Sequence, residues 1–96
     1  MSATKIAFDT YFLKTKTDAS GRFKEAHGLK FDDIHGMVVA VEDKERCWHT
    51  VEYSNKLDNR FFWNNEIVAG AMEATAFASA PVQIILFVKA LLVKPL

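Results

Sequence analysis

Cys47 and His49 stand two residues apart, and His35 lies twelve residues before Cys47. Cysteine and histidine are the side chains that ligate zinc, or that pair as a thiolate nucleophile and its base. Zinc asks for about four ligands converging at ~2.0–2.3 Å. Residues 34–42 and 46–54 read as neighbouring strands of a hairpin, with His35 opposite Tyr53. Strand rise then separates His35 from His49 by roughly 13 Å. The three do not converge, so no metal centre and no cofactor is expected. Catalytic machinery is equally thin: the chain has no nucleophile elbow, no Gly-rich phosphate loop, no H-E-x-x-H and no C-x-x-C. Asp32-Asp33 and Glu42-Asp43 are carboxylate pairs of the kind used in acid–base work. Adjacent acids in turns are better explained as solvated turn residues. The expectation is a protein that is not an enzyme. The alternative is a free-standing cytoplasmic small-molecule-binding domain, or a small enzyme in which His49, Cys47 and His35 meet in space.

Aromatic residues beside polar loops are the better chemical lead. Trp63 precedes Asn64-Asn65, Tyr53 precedes Ser54-Asn55, and Trp48 lies on the more polar face of the central hairpin. An aromatic face with amide and carboxyl groups at its rim stacks on a sugar ring and bonds its hydroxyls. Asn55, Asp58, Trp63, Asn64 and Asn65 form the candidate ligand site. The loops at 54–59 and 64–65 flank the stretch 60–63, only ~13 Å long as a strand. The competing reading packs Trp63 into the core and spends Asn64-Asn65 on a turn.

These residues need a scaffold, and the scaffold is organised by residues 82–93. Ten of those twelve residues are apolar, between Pro81 and Pro95. Period-2 reading gives a strand apolar on both faces, which must be covered on both sides. A buried helix is the rival assignment, and the run is too short to cross a membrane as a helix. The stretch 6–13 alternates as a first strand, continued by the polar residues 14–17, and Asp18-Ala19-Ser20-Gly21 marks a turn. Residues 22–31 read either as a short strand or as a loop packed by Phe23, Leu29 and Phe31. Strands 34–42 and 46–54 pair around Asp43-Lys44-Glu45, with Glu42 facing Arg46. Residues 60–63 and 66–69 form a second hairpin, with Asn64-Asn65 at the centre of a type I′ turn. The Ala-rich stretch 71–80 allows one short helix ended by Pro81, or a loop or edge strand. The class is all-β: one β-sandwich or jelly-roll-like domain over residues 1–96.

Half of the 96 residues are hydrophobic, eight of them Phe. A domain of this size buries only about 60–70% of its unfolded surface. The surplus points to a homo-oligomer, a trimer being favoured, with Val82, Ile84, Ile85, Leu86, Phe87 and Val88 as its interface. Net charge is zero. Residues 1–30 carry six Lys/Arg against three Asp/Glu, residues 31–60 four against seven, and the last 36 hold only Glu66, Glu73, Lys89 and Lys94. No basic patch emerges along the chain, so nucleic-acid binding is not expected. Neither is membrane insertion. The single cysteine excludes an intrachain disulfide. The N-terminus lacks a signal-peptide apolar region, so synthesis in the cytoplasm is expected.

Three stretches carry a resemblance: Ile34-His35-Gly36-Met37-Val38-Val39-Ala40-Val41, Arg60-Phe61-Phe62-Trp63-Asn64-Asn65, and the run from Pro81 to Lys89. Together their layout resembles the C-terminal β-modules of bacteriophage tail fibres and related virion appendage proteins, over about two-thirds of the chain. Those modules similarly end in an Asn-capped aromatic hairpin followed by a long apolar strand. The resemblance implies a β-sandwich, usually trimeric, that decorates a particle or touches a host-surface glycan. It implies a structural or receptor-binding component of a virion, with other virion proteins as further partners.

Overall fold

The computed structural model describes Ala3, residues 7–51 and residues 60–90. Asn55, Asp58, the outer parts of the strands drawn at 6–13, 46–54 and 82–93, and Tyr53 lie outside the described residues.

The apolar run is a strand and not a helix, as its β-branched residues favour. We label it β7 (Pro81–Lys89), and it is central in a four-stranded antiparallel sheet. Its neighbours are β1 (Phe8–Lys16) and β3 (Ile34–Glu42), and β4 (Trp48–Val51) closes the edge beyond β3. The second sheet is also antiparallel and has β6 (Ile67–Ala71) between β2 (Arg22–Ala26) and β5 (Arg60–Trp63). A single 3-10 turn at Phe31–Asp33 leads into β3, and a one-turn helix, α1 (Ala74–Phe77), joins the sheets between β6 and β7. The fold is all-β, two sheets about a common core, with the short helix inside the Ala-rich stretch.

Strand alternation explains the core. The even residues Val82, Ile84, Leu86 and Val88 of β7 are all buried, and each such side chain stabilises the fold by about 1.5–3 kcal/mol. They meet Val39 and Val41 of β3, Val51 of β4, and Phe23, Val68 and Met72 from the second sheet's side. Ile85 and Phe87 have the opposite parity and are only half-buried. Of the six residues expected at an interface, four therefore lie in this chain's own core, and two face outward.

Three local registers differ from expectation. In β3, Ile34 pairs with Val88 but Gly36 pairs with Phe87, so His35 is an inserted bulge residue. The bulge turns Ile34 inward and leaves His35 exposed, away from the face of Met37, Val39 and Val41. In the β3–β4 hairpin, Glu42 pairs with Trp48, two residues beyond Arg46. A two-residue shift preserves every side chain's face, which is why the apolar pattern could not detect it. Its cause is Asp43: the carboxylate Oδ1 accepts from the N–H groups of Glu45 (2.9 Å) and Cys47 (2.9 Å), closing the turn over Lys44–Arg46. Glu42 and Arg46 still touch, at 3.3 Å, as side chains. In the β5–β6 hairpin, Trp63 pairs with Val68 and the Asn64 N–H reaches the Ile67 carbonyl at 2.9 Å. The turn is centred on Asn65-Glu66, and neither has positive φ, so it is not type I′.

Candidate functional site

His49 spends its Nε2 on Asp43, 2.7 Å from Oδ2, and its ring meets Phe77 edge-on at 5.3 Å. The N–H of Cys47 first, and the His49 side chain second, hold the Asp43 carboxyl below its ordinary value. Cys47 is exposed, and the described bonds join its N–H to Asp43 without linking its thiol to His49. His35 sits on the bulge of β3. Among the described residues, no group of three or more His, Cys, Asp or Glu is placed to hold a metal ion. The geometry gives His49 and Asp43 a turn to close.

The histidine buried most deeply is His27, which the spacing argument passes over. Its Nδ1 accepts the Leu29 N–H at 3.0 Å, which puts the ring proton on Nε2. That Nε2 then donates to the backbone carbonyl of Asn64 at 2.8 Å. The consequence runs into the β5–β6 turn. With the Asn64 main-chain carbonyl committed to His27, the Asn64 side-chain Oδ1 takes its place, accepting from Glu66 (2.9 Å) and Ile67 (2.9 Å). A residue with a short acceptor side chain is needed there, and asparagine supplies it. Nothing in this pattern was visible from 27 to 64 in the sequence, because no local spacing ties a histidine to a turn 37 residues away.

The structure thus places Asn64 in turn chemistry. Trp63 packs against the core and stacks with Phe61, rings 6.3 Å apart and 21° from parallel. Asn65 is exposed at the tip. Trp63 keeps one edge in a surface trough of about 380 Å³ lined by Phe31, Phe61, Phe62 and itself, where Phe31 and Phe62 are exposed. Aromatic surface is therefore present beside the tip, and most of it comes from residues other than Trp63.

A second surface is larger. The outward residues of the four-stranded sheet include Phe8 (48% exposed), Phe12 (51%), Val38 (40%) and Trp48 (43%), with Ile85 and Phe87 between them on β7. Register sets most of them side by side: Phe12 pairs with Ile85, Ile85 with Val38, and Phe8 meets Phe87 edge-on at 5.4 Å, while Trp48 pairs with Glu42 toward the other end of the sheet. Lys14 lies 5.7 Å from the Phe12 ring, and at the Lys14–Lys16 end a hollow of about 430 Å³ opens between those lysines, Gln83 and Trp48. An antiparallel sheet that faces water normally turns polar residues outward. This one does not. Compared with family models, with curated proteins and with solved structures, the chain matches none.

Proposed function

We propose that this chain is a non-enzymatic assembly and binding module, a structural or receptor-binding component of a phage particle or similar appendage. Its copies associate through the outer face of the four-stranded sheet, as a homo-oligomer for which a trimer is favoured. The observation that carries the reading is the apolar outer face itself. Phe8, Phe12 and Val38 are each 40% exposed or more and border Ile85 and Phe87, and exposed Trp48 lies further along the same face, beside Glu42 and Gln83. Three strands about 30 Å long, with the shorter β4 at the edge, present a patch of several hundred Å², the size at which exposed apolar surface marks an interaction site. The two-sheet fold and the resemblance of 34–41, 60–65 and 81–89 to virion appendage modules give the setting. Two measurements test it: light scattering of the purified chain, and mass spectrometry of particles purified from the source. A stable oligomer, and peptides of this chain in the particle, are expected. A monomer at tens of micromolar, or particles lacking the chain, would overturn the reading.

A glycan-binding role has its own support in the aromatic trough beside Asn65. There Phe31 and the edge of Trp63 supply the stacking surface, and Asn65 the rim hydrogen bonds. Phe31→Ala keeps the fold, because Phe31 is half exposed. A folded Phe31→Ala protein that binds cell-surface glycan as well as wild type ends this part of the proposal.

A further inference from the structure

The outer face of the three-stranded sheet has a different character. Register aligns Arg22, Ala71 and Arg60 in one row across β2, β6 and β5, and Lys24, Ala69 and Phe62 in the next. Small residues on the central strand and long ones on both edges make a basin of about 380 Å³, floored by Ala69 and Ala71. Strand spacing puts the Cα atoms of Arg22 and Arg60 about 10 Å apart, with Lys24 roughly 7 Å further along. Arg22 and Arg60 both project from the same face, and a guanidinium reaches far enough for the two to close over the Ala71 methyl.

Three cations therefore border one hollow, although Arg22 and Lys24 lie more than thirty residues from Arg60 in the chain. This is a basic patch that residue order alone does not show. The ion pairs among the described residues involve Arg46 and His49, and none involves Arg22, Lys24 or Arg60. Asp18 also lines the basin; its Oδ1 accepts from the N–H groups of Ser20 (2.8 Å) and Arg22 (3.0 Å), and its carboxylate charge, attracted to Arg22, offsets one of the three cations. Among the described residues that line the basin, three cations stand against one carboxylate, and an anion between the cations relieves the repulsion that remains. Two guanidiniums carried on the same face, within reach of one point above Ala71, suit the forked geometry of an oxyanion. Phe62, 54% exposed, stands in the adjacent row and offers a flat apolar contact.

We infer that this basin binds a phosphate monoester carried on a ring, with Arg22 and Arg60 clamping the phosphate, Lys24 adding charge, and Phe62 covering the ring. A phosphate monoester carries close to two negative charges at neutral pH, which suits three cations better than a monoanionic sulfate ester does. The inference is independent of the assembly reading, since it uses the opposite sheet.

Phenyl phosphate is the probe, and the methyl groups of the floor are the reporters. In protein labelled with ¹³C at alanine methyls, phenyl phosphate should shift the Ala69 and Ala71 resonances together and leave Ala40 in place. Arg22→Gln and Arg60→Gln should each weaken binding on the order of tenfold, the loss of one charge-assisted pair. Lys24→Gln should weaken it less. All three side chains are exposed, and unshifted Ala40 and Ala76 methyls report that each variant keeps its fold. Phenol should leave the floor methyls unmoved, and inorganic phosphate should bind more weakly for want of the ring. Phenyl sulfate binding as tightly as phenyl phosphate would overturn the choice of phosphate. Silent Ala69 and Ala71 methyls at 20 mM phenyl phosphate, or undiminished binding by the Arg22→Gln/Arg60→Gln protein, would overturn the site.

Discussion

Thr17 ties three segments together from a buried position at the end of β1. Its N–H donates to the Ala80 carbonyl at 2.9 Å, its hydroxyl donates to the Phe77 carbonyl, and that hydroxyl accepts the Ala80 N–H at 2.7 Å. The side chain is 4% exposed, so water cannot replace it. Thr17→Val keeps the shape and orphans two buried backbone groups, at a cost of about 1–3 kcal/mol. Urea denaturation should show that loss, while Thr50→Val on the exposed outer face should be close to neutral. Asp18 and Asp43 act on turns in the same manner but with a charge. The N–H of Arg22, then that of Ser20, holds the Asp18 carboxyl below its ordinary value, as Cys47 and His49 do for Asp43. A depressed folded value means stability that is complete above the unfolded value and is lost as pH falls through the folded one. Acid titration of the urea midpoint should therefore be flat near neutrality from these two groups and fall below about pH 4. Asp18→Asn with Asp43→Asn should flatten that acid limb; an unchanged limb would assign it to other carboxylates. These roles were half legible. Asp18 and Asp43 advertise turns by type, whereas Thr17 and His27 act through partners more than thirty residues away.

At the scale of elements, alternation in β7 and the position of the turns were open to sequence reasoning, and register was not. A strand's pattern repeats every two residues, so a slip of two, as in β3–β4, changes no face and leaves no trace in hydropathy. The bulge at His35 is invisible for a related reason, since one inserted residue looks like ordinary alternation that happens to restart at Ile34. Arg46 records the strain of the hairpin that formed. Its φ is 69°, in the left-handed region that costs a non-glycine residue about 1 kcal/mol or more. Its contact with Glu42 returns little, because the Arg46 side chain is 85% exposed and such pairs are weak. Arg46→Gly should stabilise the protein by about 0.5–1 kcal/mol, read as a higher urea midpoint with unchanged slope. A lower midpoint would show that the ion pair outweighs the backbone strain. Gly70 makes the opposite case on β6. A Cβ there would lie 2.4 Å from the Phe23 ring, so Gly70→Ala should destabilise by about 1–3 kcal/mol through overpacking.

For the whole molecule, the decisive quantity is how the apolar residues divide between the two faces of the four-stranded sheet. Composition showed that there were too many for one small interior, and it could not say where the surplus went. The structure separates them by parity: Val82, Ile84, Leu86 and Val88 inward, Ile85 and Phe87 outward beside Phe8, Phe12 and Val38. The two sets should respond differently to charge. Ile84 is fully buried, so Ile84→Asp places an unpaired carboxylate in the core and should unfold the chain at any concentration. Phe12 and Val38 are 51% and 40% exposed, so Phe12→Lys with Val38→Lys costs the folded monomer little. In an oligomer built on this face, the same pair brings like charges into a dry interface, and association should weaken by at least a hundredfold. Sedimentation velocity should then show a folded monomer for the double lysine protein where the wild type is oligomeric. Circular dichroism should keep the β signature of the wild type. An oligomer that survives both lysines locates association on another face, and a wild type that sediments as a monomer leaves the outer sheet without the partner proposed for it.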